Sequence, residues 1–223
     1  MNSDSAEYLQ ATDIINFQHP RVEQFIRDRC GRSSSPREQA VKLYYAVRDE
    51  IRYDPYGIVM SVDGLRASTT LRIGRGWCVP KAALLAACCR GLGIPAKLGY
   101  ADVRNHLSTA RLRAHMKTDV FLWHGYTSIY LDGRWVKATP AFNIELCQRF
   151  QLKPLEFDGT FDSIYHPFDL LGNKHMEYLQ ERGEFSDIPV DRIRRDFAQA
   201  GMTFQDLGAY DFNQDVEREN PPK

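Results

Sequence analysis

The chain has 223 residues, enough for one domain with a substantial hydrophobic core. Its 29 basic and 29 acidic residues cancel, so no net charge favours binding to nucleic acid or to an anionic membrane. The N-terminus has no basic start followed by an apolar run, and no segment approaches the roughly 20 apolar residues that span a bilayer. We therefore expect neither nucleic-acid nor membrane partners.

The cysteines indicate where the protein works. They are five in number, and no two of them form a CxxC pair: Cys30, Cys78, Cys88, Cys89 and Cys147. An odd, scattered set is typical of reduced thiols in a cytoplasmic protein and gives no zinc-binding spacing. The histidine spacings match no metal motif either, so we expect neither a metal nor a cofactor.

Two amphipathic helices are predicted in the N-terminal part. Apolar residues share one side of 20–30, and a second helix follows Ser35, with Pro36 at its first position and Glu38 as its capping-box partner. The turn-rich stretch that follows, 54–68, is expected on the surface. The basic run from Arg104 to Lys117 is interpreted as a solvated loop or helix face.

A third helix is predicted from Val79 to Leu92, where the sequence is apolar on nearly every side. This pattern indicates a central, fully buried helix that ends at Gly93. An extended segment follows from Ile94 toward Val103. Cys88 and Cys89 lie inside the helix and are expected to be inert core residues.

The pattern then changes to strands. Two apolar strands flank Asp132–Gly133, a strong hairpin signal, and short helices are predicted near 144–150 and 190–200. Helices first and antiparallel strands later indicate an α+β domain over 1–212, with its core at about 36–143. Residues 213–223 are predicted to form a flexible tail.

Cys78 and His124 are the candidate catalytic pair. Cys78 stands at the predicted start of the buried helix, where backbone N–H groups stabilise a thiolate and can hold an oxyanion. His124 lies within a predicted strand that would bring its ring beside that helix start. A buried histidine bonded to backbone is the alternative, because one cysteine and one histidine alone are a weak signal.

The residues around this pair add a family resemblance. "GWCVPKAALLAACCRGLGIPAKLGY" and "WHGYTSIYLDGRWVKATPAFN" resemble the nucleophile helix and the following hairpin of the transglutaminase-like superfamily, over Tyr44 to Asn143. The resemblance implies a papain-like α+β fold in which the nucleophile-bearing helix packs on an antiparallel sheet. It also implies that Cys78 is the nucleophile and His124 the general base and acid.

The third catalytic residue departs from the family pattern. The family places an aspartate before a proline at the end of the second strand, whereas this chain has Thr139–Pro140. Asn143 is an alternative, since papain-type enzymes use Cys-His-Asn, and Asp158 is another. Thr139 and Asn143 are equally candidates for capping the next helix.

The expected reaction follows from the pair. A Cys78 thiolate would attack the amide bond of a peptide or protein substrate, and water would resolve the thioester. There are two alternatives. One is acyl transfer to an amine, as in a transglutaminase, and the other is a catalytically degenerate protein that is retained for binding. The predicted cleft walls are aromatic residues that are also candidates for the core: Tyr53, Tyr56, Trp77 and Trp123.

Overall fold

The computed structural model describes most of the chain and shows an α+β fold. The described residues are 6–31, 35–105, 108–165, 168–172, 174–202 and 207–220. A 3-10 turn, Glu7–Leu9, precedes the first helix. The helices are α1 Pro20–Cys30, α2 Pro36–Glu50, α3 Val62–Leu65, α4 Ala67–Ile73, α5 Cys78–Gly91, α6 Ala110–Met116, α7 Ile144–Arg149, α8 Val190–Gln199 and α9 Phe212–Glu219.

The principal sheet has four antiparallel strands in the order β5-β4-β3-β6. Its strands are β3 Ala96–Asn105, β4 Val120–Leu131, β5 Arg134–Ala138 and β6 Met176–Phe185. Two short strands, β1 Arg52–Tyr53 and β2 Arg75–Gly76, pair in parallel beside it. The predicted hairpin is confirmed, with Asp132 and Gly133 both at positive φ, as a tight turn between β4 and β5 requires.

Helix α5 is the centre of the molecule, and its prediction is confirmed. Every residue from Cys78 to Arg90 is buried, because α1, α2 and α4 cover one side of the helix while β3 and β4 cover the other. Two charged side chains are buried among these residues: the Lys81 ammonium donates to the carbonyls of Arg48 and Ile51, at the end of α2, and the Arg90 guanidinium donates to the Ala96 carbonyl. Because other elements pack on every side of this helix, the position of its first residue, Cys78, is fixed.

Several predicted elements are confirmed and others were not predicted. α1 and α2 have the expected bounds, and Ser35 and Glu38 form the expected capping box. The turn-rich stretch 54–68 contains α3 and the start of α4. Neither helix was predicted, and neither was β6. In the predicted flexible tail, α9 packs through Phe212, Asp215 and Val216, all of them buried.

Two further properties concern the cysteines and the described helices. The structure describes all five cysteines, and no disulfide joins any of them. Among the described helices, none has the length and apolar character needed to cross a membrane.

Candidate active site

Cys78 is the first residue of α5 and lies at the bottom of a cavity, with 5% of its surface exposed. No side chain caps the helix start, so its free N–H groups remain available. The amides of Cys78, Val79 and Gly125 lie against the sulfur and lower the pKa of the thiol. Burial outweighs them and raises that pKa to about 11, so the resting thiol is protonated.

Gly125 allows strand β4 to approach the helix start. A Cβ at this position would lie 3.2 Å from Cα of Val79 and 3.4 Å from its amide nitrogen, tighter than normal packing allows. Two residues on, the hydroxyl of Thr127 donates to the carbonyl of Ala82 at 2.9 Å and ties β4 to α5. The sequence His-Gly-Tyr-Thr thereby places His124 next to the cysteine.

His124 is buried and separates two cavities. It lines the one that contains Cys78, here called the front cavity, and a second one, the rear cavity, which Cys78 does not line. Burial, and to a smaller degree the nearby His175, lower the pKa of its imidazole to about 4. The imidazole is therefore neutral at pH 7, and its buried Nε2 has no hydrogen-bond partner among the described residues.

The front cavity is narrow and apolar. Its volume is about 30 Å³, room for a water molecule or two. The lining residues are Tyr53, Pro55, Ile58, Trp77, Cys78, Leu112, Met116, Phe121, Leu122, His124, Phe197 and Met202. Among these described residues, none carries a charge at neutral pH, since the thiol and the imidazole of the pair are both neutral there.

The rear cavity carries more polar groups around His124. Thr139 and His175 lie on its wall, and the ring of Tyr178 meets the His124 ring edge-on, with centroids 6.5 Å apart. The buried Thr139 hydroxyl makes no hydrogen bond of good geometry to any described residue. Burial raises the pKa of the Tyr178 phenol, and the nearby Thr139 hydroxyl offsets a small part of that rise. No carboxylate among the described residues shifts the pKa of His124.

The other two candidates for the third residue are engaged elsewhere. The Asn143 side chain accepts from the Tyr53 amide at 3.0 Å and donates to Glu145 at 2.7 Å, at the position before α7. Asp158 is exposed and bonds the amide and the hydroxyl of Thr160. Of the three residues, only Thr139 shares a cavity with His124.

The four aromatic residues named from the sequence occupy different positions. Tyr53 and Trp77 line the front cavity, and burial raises the pKa of Tyr53 well above its usual value. Tyr56 borders a neighbouring open groove, while its hydroxyl bonds Thr109 and Asp215. Trp123 is fully buried and lies on neither cavity.

Trp123 instead belongs to a polar network that shapes β4 just before His124. It adopts a left-handed conformation, with φ of 59°, within a bulge of β4 where Leu122 and Trp123 together oppose Asp102 of β3. Its amide donates to Asp102 at 3.1 Å and its indole N–H to Asp196 at 2.8 Å. Arg182 of β6 bonds both carboxylates and lies over the indole ring. Such a conformation is rare outside glycine and asparagine and needs this support.

The sequence did not indicate the apolar wall or the second histidine. Leu112 and Met116 come from α6, inside the run that was interpreted as a solvated basic face. Their spacing of four residues, which places both on one side of a helix, was the signal that could have shown them. Phe197 comes from the buried side of α8, which was predicted as amphipathic. His175 directly precedes β6 and carried no local signal.

One known family model matches the sequence of this chain. Residues 23–140 match the transglutaminase-like superfamily model, which covers more than half of the chain. The chain therefore belongs to the transglutaminase-like superfamily, a superfamily of cysteine-dependent enzymes.

Solved structures with similar backbones are distant in sequence. One is described as "a Putative Cysteine Protease from Cytophaga hutchinsonii", with 18% identity, a TM-score of 0.48 and coverage of 63% of this chain and 43% of that one. Another is the arylamine N-acetyltransferase from Mycobacterium abscessus, with 13% identity, a TM-score of 0.40 and coverage of 60% and 46%. The chain thus spans less than half the length of either structure. No curated protein matches the sequence significantly.

Proposed function

We propose that the protein is a cysteine-dependent hydrolase that cleaves an amide bond through a thioester on Cys78. The observation that supports this most directly is the shared front cavity. It brings together the thiol at the start of α5, the neutral imidazole of His124 and a set of backbone N–H groups. Family membership supports cysteine chemistry in general but does not choose between hydrolysis and transfer.

The protonation states define how the pair would act. Burial keeps Cys78 as a thiol and His124 as a neutral imidazole, so the resting state is not an ion pair. His124 would remove the thiol proton as the sulfur attacks the carbonyl carbon, acting as a general base. The amides at the start of α5 are the donors nearest to the oxyanion that forms there.

Thr139 is the proposed rear-side group for His124. Its support is that Thr139 lies on the rear-cavity wall, while Asn143 and Asp158 are bonded elsewhere. A hydroxyl orients an imidazole without stabilising imidazolium as a carboxylate does. This fits a pair that remains neutral at rest.

Peptide-mapped alkylation with iodoacetamide tests the proposed pair. We expect Cys78 to react far faster than Cys88 and Cys89, which lie inside α5 and have strongly raised pKa values because of burial. The His124→Gln variant should slow Cys78 alkylation by about 10²-fold or more, the usual contribution of a general base. Similar slow labelling of all three cysteines, or no effect of His124→Gln, would contradict the proposal.

Acyl transfer to an amine is the second candidate, because the superfamily match applies equally to transglutaminases. Incubation with a glutamine-containing protein and a tagged primary amine separates the two reactions. Release of ammonia without incorporation of the tag supports hydrolysis. Incorporation at a rate equal to ammonia release supports transfer.

We further propose that the enzyme acts on a peptide or protein amide in the cytoplasm, with no metal or cofactor. The support is that the five cysteines, all described, are reduced and that the candidate chemistry uses only side chains and water. Thiol chemistry of this kind requires a reducing environment.

A further inference from the structure

The front cavity shares a wall with an open groove on the protein surface. The groove, here called the outer groove, has a volume of about 780 Å³ and lies between the segment 56–60 and helix α8. Three apolar residues line both spaces and separate them: Ile58, Phe197 and Met202. Movement of these apolar side chains would open a path from the surface to the sulfur of Cys78.

The residues along this path determine which acyl groups can enter it. No described lining residue of the front cavity is charged at neutral pH, and the outer groove adds Val59, which is 55% exposed, and Met60. Arg194 is the one charged side chain among the described residues of the groove. A charged acyl group would lose its hydration in the front cavity and find no partner there.

The path is also adaptable. The front cavity as it stands holds little more than a water molecule or two, so an acyl chain must displace part of the wall. Met116 and Met202 line it, and methionine side chains rearrange at low cost because they are unbranched and flexible. Both residues are only partly buried, in contrast to the core around α5.

We propose that the acyl part of the substrate is an uncharged, apolar chain, which lies in the front cavity and extends along the outer groove. This inference rests on the proposed function, because the acyl group is the part that becomes attached to Cys78. The amine part of the amide would leave the site after the first step. The substrate class is thus an amide with an apolar acyl chain, whose amine part can belong to a peptide or protein.

The reaction balances with water alone. The sulfur of Cys78 forms a bond to the acyl carbon while its proton passes to His124, and the carbon–nitrogen bond breaks as His124 protonates the leaving amine. Water then adds to the thioester carbon, the carbon–sulfur bond breaks, and the thiol regains its proton. The products are an apolar carboxylic acid and an amine.

A series of p-nitrophenyl esters with one leaving group tests the acyl preference. The acyl groups are acetyl, butyryl, octanoyl and succinyl, and the Cys78→Ser variant supplies the background rate. We expect octanoyl to acylate Cys78 at least about tenfold faster than acetyl, and succinyl to be slower than butyryl. Attraction to Arg194 would favour succinyl, so that comparison is stringent.

Two matched variants locate the preference. Ile58→Glu should lower the ratio of the octanoyl rate to the acetyl rate by about tenfold or more. Ile73→Glu is the control, because Ile73 is exposed and lines neither space, and it should change neither rate. If thermal melting shows that Ile58→Glu does not fold, Met202→Gln takes its place with the same expectation.

The outcomes separate the two proposals. If no ester acylates Cys78 above the Cys78→Ser background, the proposed function fails. If acylation occurs at equal rates for all four esters, or fastest with succinyl, the proposed function stands and the apolar acyl preference is overturned. An octanoyl preference that Ile58→Glu or Met202→Gln leaves unchanged would also overturn it.

Discussion

The front and rear cavities meet at His124, but they offer its ring different surroundings. The front wall is apolar apart from the catalytic pair, Tyr53 and the Trp77 indole. The rear wall presents the Thr139 hydroxyl and His175, with Tyr178 close behind. On neither side does a carboxylate of the described residues shift the pKa of His124.

These surroundings explain the protonation states of Cys78 and His124. In a cysteine site with a carboxylate behind the histidine, imidazolium is stabilised and the thiol loses its proton to it. Here desolvation dominates for both partners, lowering the imidazole pKa to about 4 and raising the thiol pKa to about 11. Burial therefore sets the protonation states of both groups at rest, and a charge on the rear wall is what would change them.

The largest expected effect concerns stability against pH. The folded pKa of His124, about 4, lies below its ordinary value of 6.5, so the unfolded chain binds a proton that the folded chain does not. Stability is therefore lost as pH falls from 6.5 to 4, by about 3 kcal/mol from this group, since one pKa unit is worth about 1.4 kcal/mol. Urea unfolding at pH 7 and pH 4 measures the loss.

The matched variant for this test is His124→Phe, which keeps a ring of similar size but does not titrate. Its free energy of unfolding should decline less between the two pH values, by about that same 3 kcal/mol. His124→Asn serves if the phenylalanine variant does not fold. Equal pH dependence in wild type and variant would show that His124 is not buried as a neutral group.

Restoring the carboxylate should give the next largest effect. Thr139→Asp places a negative charge on the rear wall, which should raise the pKa of His124 and favour the thiolate–imidazolium pair. We expect iodoacetamide alkylation of Cys78 at pH 7 to become on the order of tenfold to a hundredfold faster. Thr139→Asn, with the same shape and no charge, is the control, and an equal gain in both would contradict the electrostatic explanation.

Much of the fold could be predicted because its strongest elements have local signals. Helix α5 is apolar on every side, α2 has a complete capping box, and Asp132–Gly133 marks the β4–β5 hairpin. β6 has no such signal: it is an edge strand with charged, exposed residues, and its pairing with β3 decides its conformation. Helix α4 was missed because Thr69 and Thr70 are weak helix formers.

The site could be predicted in part for the same reason. The motifs around Cys78 and His124 indicated the pair, and the start of α5 fixes the cysteine. The surroundings of His124 come from residues that are distant in the chain. His175 and Tyr178 reach it through β6, and the network of Asp102, Arg182 and Asp196 joins three separate elements. No local pattern marks such contacts.

The third prediction concerns the close approach of β4 to α5, and the expected effect is of intermediate size. Gly125→Ala would place a methyl group against the Val79 backbone, which cannot yield without moving the strand or the helix. We expect a loss of about 1–3 kcal/mol in the free energy of unfolding, as is typical of overpacking. Alkylation of Cys78 should also slow, because His124 moves with the strand.

Gly208→Ala is the control for this change. A Cβ there would have as its nearest neighbour the Tyr56 carbonyl oxygen at 4.0 Å, so its stability should stay within about 0.5 kcal/mol of wild type. Chemical denaturation of both variants gives the comparison. A Gly125→Ala protein as stable and as reactive as Gly208→Ala would show that the front cavity does not depend on this close approach.

The smallest effect is expected from Thr139→Val, which removes the rear hydroxyl and keeps the shape. Because this buried hydroxyl makes no hydrogen bond of good geometry, its loss should cost almost no stability. A neutral hydroxyl also stabilises the imidazolium form of His124 only weakly, so the rate of Cys78 alkylation should fall by less than about threefold. Rates for the valine, threonine and aspartate variants would then rise in that order. A fall of a hundredfold in the valine variant would instead show that the hydroxyl holds the His124 ring and that the rear side orients the base as well as setting its charge.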